Sequence, residues 1–203
     1  MDSKEKARIL RQYELIQMAH YSLFCHLAGS HFQLEKLENT NNIKDSRVRY
    51  FRHWEHFEAG YLHLGSVFYL LEGLWNIILK QRGVPRSKNR LKSFLGSVKR
   101  KDLVDSLERA YKNIKMRRDI YVHRGRIFAT MHKDKFYTPL EVKENMSWSQ
   151  LNSNTNWIET TVKLSEDIIE TEKLVNELHE ILIREYGDFI SDKKIQIDYG
   201  DNK

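Results

Sequence analysis

Along most of this chain, apolar and aromatic residues recur at alternating steps of three and four. The most regular run is Trp54, Phe57, Tyr61, Leu64, Phe68, Leu71, Trp75 and Ile78. That spacing lays one continuous stripe on a helix and predicts a seam for an antiparallel helix or for another subunit. Leu70, Leu74 and Ile77 widen the stripe, so the C-terminal half should be the more deeply buried. Gln81-Arg82-Gly83-Val84-Pro85 ends it: a glycine cap, then a proline that cannot continue.

The same reading gives the remaining elements. Ile9, Tyr13, Ile16, His20, Leu23, Leu27 and Leu34 predict a first helix over about 4–37, closed by the polar run Asn39-Thr40-Asn41-Asn42. A third helix starts near Asp102, read as its N-cap, with Leu103, Leu107, Ala110 and Ile114 on one face. Gly125 reads as its stop signal. A last helix spans about 156–186, with Leu164, Ile168, Val175, Leu178 and Leu182 inward. Between these, 126–131 and 135–140 flank His132-Lys133-Asp134 and predict a short β-hairpin. Residues 141–154 read as a polar loop. The expected fold is all-α: an antiparallel helical bundle with a short hairpin near 126–140. One domain is expected over 1–190, followed by a C-terminal tail at 191–203.

Composition narrows the picture. Only 2 prolines and 9 glycines interrupt 203 residues, which suits long helices rather than a turn-rich β fold. Single Cys25 allows no internal disulfide and, beside Phe24 and Leu27, reads as a small core residue. No apolar run resembles a signal peptide or approaches the length of a membrane span, so the cytoplasm is the expected compartment and no membrane partner is expected. A formal charge of +6 permits a polyanionic partner. The most basic stretch is 86–101, where Lys99, Arg100 and Lys101 end a run poor in acid; it reads as a solvated loop or as a patch that tracks phosphates. His20, His26, His31, His53, His56 and His63 form no zinc motif, and no phosphate loop or two-metal signature is present. No metal and no cofactor are expected.

The chemistry concentrates in Arg117-Arg118-Asp119-Ile120-Tyr121-Val122-His123-Arg124-Gly125. Histidine moves a proton near neutral pH, and arginine holds a phosphate through paired hydrogen bonds while stabilising the charge that grows on it. With 15 arginines and 9 histidines in the chain, Arg-x4-His arises by chance about 0.7 times. Arg47 before His53 and Arg49 before His56 are similar spacings. The added cations Arg117, Arg124 and Arg126, in a place where a helix core would prefer leucine, favour residues 118–123. On an α-helix Asp119 shares a face with His123 and can orient it. Arg118 and His123 fall about 140° apart, so a single α-helix does not aim both at one phosphate. Tyr121 reads as packing inward, and Glu72, set in an apolar run, needs a cationic partner if buried, Arg118 or His123 among the candidates.

Arg118-Asp119-x-x-x-His123 in a basic helical bundle resembles the HEPN family, whose nuclease members carry Arg-x(4–6)-His, often with a polar residue after the arginine. The resemblance covers the motif and the helical framework, about residues 1–125 and the last helix. It implies a homodimer with two motifs facing across a cleft. It also implies metal-independent cleavage of RNA by Arg118, His123 and Asp119, with Arg117, Arg124, Arg126, Lys99, Arg100 and Lys101 along the RNA. A toxin or antiviral defence effector under an antitoxin or regulatory protein is the implied setting. Gly125 stands where some HEPN toxins have a modifiable tyrosine, so that mode of control is not implied. The alternative is a catalytically silent HEPN-like module that binds nucleic acid, a nucleotide or a protein.

Overall fold

The structure is a computed structural model that describes residues 3–81, 90–123, 130–143, 151 and 155–192. Five helices run in chain order: α1 (Ser3–Asn39), α2 (Ser46–Gln81), α3 (Arg90–Ser97), α4 (Lys101–Arg118) and α5 (Thr160–Asp192). A three-stranded antiparallel sheet, β1 (Thr130–His132), β2 (Lys135–Pro139) and β3 (Trp157–Glu159), lies between α4 and α5 in the chain, with β2 in the middle. The architecture is thus mostly helical with a small sheet, as the apolar pattern predicts.

Helix α2 is the axis of the bundle. All eight residues of its stripe, from Trp54 to Ile78, are buried, and α1, α3, α4 and α5 each pack on it. Asp45 caps it: its Oδ1 accepts from the backbone N–H of Arg47 at 2.9 Å and of Val48 at 3.0 Å. An 18-residue window of this helix is apolar enough to cross a membrane (mean hydropathy 1.4), but half of the window is buried within the bundle. The core helix of a folded bundle has the same composition. In α1, Ile9, Ile16, Leu23 and Leu27 point inward as expected, whereas Cys25 is exposed, not a core residue, because it lies on the opposite face.

Of the expected hairpin, the described residues show β1 from Thr130 and β2 ending at Pro139, one residue before the expected end; 126–129 lie outside them. Lys133 and Asp134 form its two-residue turn at φ 46° and 62°, the left-handed pair whose twist suits a tight hairpin. Arg49 of α2 holds this turn through Asp134 (Nη2–Oδ1 2.7 Å). The third strand, Trp157–Glu159, takes residues that the pattern assigns to the last helix; α5 starts at Thr160 instead. Residues 124–129, including Gly125, and 193–203, including most of the predicted tail, lie outside the described residues, as does the Leu182 side chain.

Two buried polar assemblies fasten the sheet to the helices. In the first, Arg117 of α4 is fully buried. Its Nη2 donates to the carbonyls of Pro139 (2.9 Å) and Leu140 (2.5 Å), its Nη1 to the Tyr121 hydroxyl (3.2 Å) and its Nε to Asn113 Oδ1 (3.3 Å). Tyr121 Oη lies 3.0 Å from Thr138 Oγ1 on β2. Asp167 of α5 accepts from Tyr61 (2.6 Å), Asn113 (2.9 Å) and Lys163 (2.6 Å). Burial works against the Arg117 charge, but Tyr61, Tyr121 and Asp167 outweigh it and hold its pKa above the ordinary value. Arg117 is fully buried and so is not the RNA contact that was expected; its donors are met instead by the Pro139 and Leu140 carbonyls at the end of β2. Tyr121 packs inward, in line with the sequence.

In the second assembly, His53 is buried. The Thr40 hydroxyl donates to the Leu37 carbonyl (2.6 Å), so its oxygen accepts from His53 Nδ1 at 2.9 Å. His53 Nε2 meets Thr160 Oγ1 at 2.6 Å, and the ring stacks on Phe136 of β2 at 3.9 Å. Both ring nitrogens are hydrogen-bonded inside the core, so His53 of the Arg47/His53 spacing is not presented to solvent.

Arg117→Met should cost about 3 kcal/mol or more in urea unfolding, because it strands the polar groups the guanidinium serves. Arg117→Lys should restore only part of this, since an ammonium lacks the planar fork. A loss below about 1 kcal/mol in Arg117→Met would contradict the assignment. His53 supplies a pH signature. Burial first, then the His56 charge, pushes its pKa down to about 3 from 6.5. The folded state thus refuses a proton that the unfolded chain accepts. His53 contributes stability above pH 6.5, and this is lost as pH falls from 6.5 towards 3, by up to about 1.4 kcal/mol per pH unit. The difference between wild type and His53→Gln in denaturant unfolding should shrink along that slope; a pH-independent difference would show that His53 is not held neutral.

Candidate functional site

The motif begins where α4 ends. From Asp119 to His123 the backbone opens into a π-helical turn, in which each N–H reaches back five residues rather than four. Such a turn is wider than the α-helical one, so residue i+5 comes closer to residue i around the axis. Arg118 directly precedes this turn and His123 ends it, so the angle between their positions around the axis is smaller than in an α-helix. The 140° separation expected of an α-helix does not apply here. Single π turns are rare and are frequent at functional positions. The side chain of His123, and Arg124 and Arg126 altogether, lie outside the described residues.

Arg118 is held by α2 and by its own neighbour. Its stem crosses α2 at Gly65, where an added Cβ would stand 2.6 Å from Arg118 Cδ and 3.3 Å from Nη1. Glycine is required for this approach, at a cost to the helix of about 1 kcal/mol relative to alanine. Arg118 Nε and Nη2 both donate to Asp119 Oδ1, at 3.1 and 2.8 Å. Lys115 Nζ stands 3.8 Å from Asp119 Oδ2. Asp119, expected to orient the imidazole, has its described contacts with these two cations instead. The Arg118 side chain remains 26% exposed, so it is anchored yet open to solvent. Gly65 and Lys115 are the members the sequence reading passes over. A glycine in the middle of a long apolar helix was the available signal.

The other predicted contacts scatter. Lys99 and Lys101 are exposed, but Lys101 opens α4 and Lys99 lies in the turn before it. Seventeen residues at 1.5 Å each place Lys101 about 26 Å from Arg118 along the helix, with Lys99 beyond it. Arg100 is engaged internally: its Nη2 pairs with Asp102 (3.0 Å) and with Glu177 of α5 (2.8 Å). Asp102 lies in the first turn of α4 rather than at its cap, which falls on Arg100. Its carboxyl pKa is lowered by the hydrogen bond from Arg100, then by the charge of that arginine. Glu72 is exposed, so no buried charge there requires Arg118 or His123 as partner. Glu58, on the same helix, is half-buried, and burial raises its pKa. His56 is occupied by Gln33 at 2.9 Å. Among the described residues no group of three or more His, Cys, Asp or Glu side chains is placed to hold a metal ion.

Compared with family models, with curated proteins and with solved structures, the chain finds no match.

Gly65→Ala isolates the seat of Arg118. The added methyl must displace a flexible side chain rather than backbone, so stability should change by about 1 kcal/mol or less. The Arg118 Nε–H resonance should nevertheless move, because its bond to Asp119 cannot keep the same geometry. An unmoved resonance would mean that the crossing at Gly65 does not position the arginine.

Proposed function

We propose that the protein is a metal-independent endoribonuclease of HEPN type, acting as a homodimer on RNA. The observation that carries this reading is the π turn, which starts at the residue after Arg118 and ends on His123. It supports the two motif residues serving one phosphate. In the reaction, His123 of one protomer takes the proton of a ribose 2′-hydroxyl. O2′ attacks the adjacent phosphorus, and the P–O5′ bond breaks as the second motif of the dimer returns a proton to the leaving oxygen. The products are a 2′,3′-cyclic phosphate and a 5′-hydroxyl. Arg118, steadied by Asp119 and Gly65, binds the non-bridging oxygens and stabilises the pentavalent transition state. DNA lacks the attacking hydroxyl and is not cut.

Arg117 has no part in this scheme, and Lys99 and Lys101 serve only an RNA long enough to run the length of α4. Such an enzyme suits a toxin or a defence effector in the cytoplasm, held in check by an antitoxin or other regulatory protein.

A pool of structured RNAs incubated in EDTA tests the reading. Wild type should leave cyclic phosphate ends, and His123→Ala and Arg118→Ala should each slow cutting by about 100-fold or more with helicity unchanged. Gly65→Ala should slow it while Km changes little. Cutting that survives His123→Ala, or that requires a divalent metal, would contradict the mechanism. RNA binding by a folded dimer that never cuts would favour the catalytically silent module.

A further inference from the structure

The side of α2 turned away from Arg118 carries a second arrangement, which does not depend on the ribonuclease reading. His63 precedes Gly65 by two residues and so points about 200° around the helix from it. There its Nδ1 lies 3.0 Å from Nδ1 of His26 on α1, with the rings inclined at 51°. Gly29 makes the approach: a Cβ at that position would stand 2.7 Å from both Cε1 and Nδ1 of His63. Both histidines are half-buried, so solvent reaches them. Two imidazole nitrogens this close need something between them. Either one carries a proton that the other accepts, or both turn lone pairs on one cation.

We propose that His26 and His63 form a two-imidazole binding site for a divalent transition metal of the Ni2+ or Cu2+ kind, clipping α1 to α2. The separation selects the class of ion. With metal–nitrogen bonds of about 2.0–2.1 Å, a 3.0 Å bite closes a nitrogen–metal–nitrogen angle of about 94°. That is a cis pair in the square-planar or tetragonal geometry of Cu2+ and Ni2+. A tetrahedral Zn2+ would need the nitrogens spread by a few tenths of an ångström more. Mg2+ and Ca2+ prefer oxygen and find none supplied here by the pair. Water fills the other positions of the ion, so binding is modest and reversible.

Calorimetric titration of the full chain with Ni2+ near neutral pH tests the site. Wild type should bind one Ni2+ that is lost, by about tenfold or more in affinity, in both His26→Gln and His63→Gln. His31→Gln, whose ring pairs with Glu172 instead, should bind as wild type does. Glutamine retains a polar contact between the helices, and circular dichroism checks that each variant stays folded. Electron paramagnetic resonance of Cu2+ bound to wild type gives a second readout independent of the variants, with two coupled imidazole nitrogens expected. Loss of less than tenfold in either variant, equal loss in His31→Gln, or a spectrum with fewer than two imidazole nitrogens would overturn the site.

Discussion

Sealing the Arg117 guanidinium away from water is the condition on which the other contacts depend. An isolated cation cannot remain in a core, and burying one costs several kcal/mol unless its donors are met. Here α4 enters the bundle only with β2 beside it, because Pro139 and Leu140 supply the carbonyls and Thr138 meets the hydroxyl of Tyr121. Asn113 joins this group to Asp167, which in turn gathers Tyr61 of α2 and Lys163 of α5. One continuous set of polar contacts thus runs through α2, α4, α5 and the sheet. The hairpin is built into the core rather than appended to it. His53 repeats the device nearer the start of α2, with Thr40 on one side and Thr160 and Phe136 on the other.

The same constraint aims the chemistry. Once Arg117 points inward, Arg118 is turned about 100° from it and meets α2 at its edge, where Gly65 clears the way. Ile120 and Tyr121 are both buried, and the π turn accommodates this pair of inward residues within the segment that leads to His123. Two adjacent arginines therefore have opposite duties. One is spent on the fold and the other is left at the surface with its stem fixed. Asp119 serves the second by accepting from Nε and Nη2, which steadies the guanidinium.

Much of the fold was legible because burial imposes a period on the sequence. The stripe from Trp54 to Ile78 announced α2, and its eight residues are the ones that vanish from the surface. The tight turn could be located between two apolar runs, although Lys133 and Asp134 give little hint of their left-handed backbone. β3 escaped because three residues, Trp157 to Glu159, are too few to show an alternation, and their pairing with β2 is a tertiary event. The candidate site was legible in its residue types and not in their directions. Arg117 sits among cations and so reads as surface, since nothing local reveals that two carbonyls more than twenty residues away require it. The geometry of Arg118 and His123 was equally hidden, because a 3.6-residue period assumes an α-helix where the backbone forms a wider turn.

The central claim is that this wider turn lets Arg118 and His123 act on one phosphate. Titration with a 2′-deoxy dinucleotide, which cannot be cut, while following the Arg118 Nε–H and the His123 imidazole by NMR, tests it most directly. The account predicts that both signals move together with one apparent Kd and that Gly65→Ala weakens both. Movement of one signal without the other would place the two residues on separate sites and contradict the account.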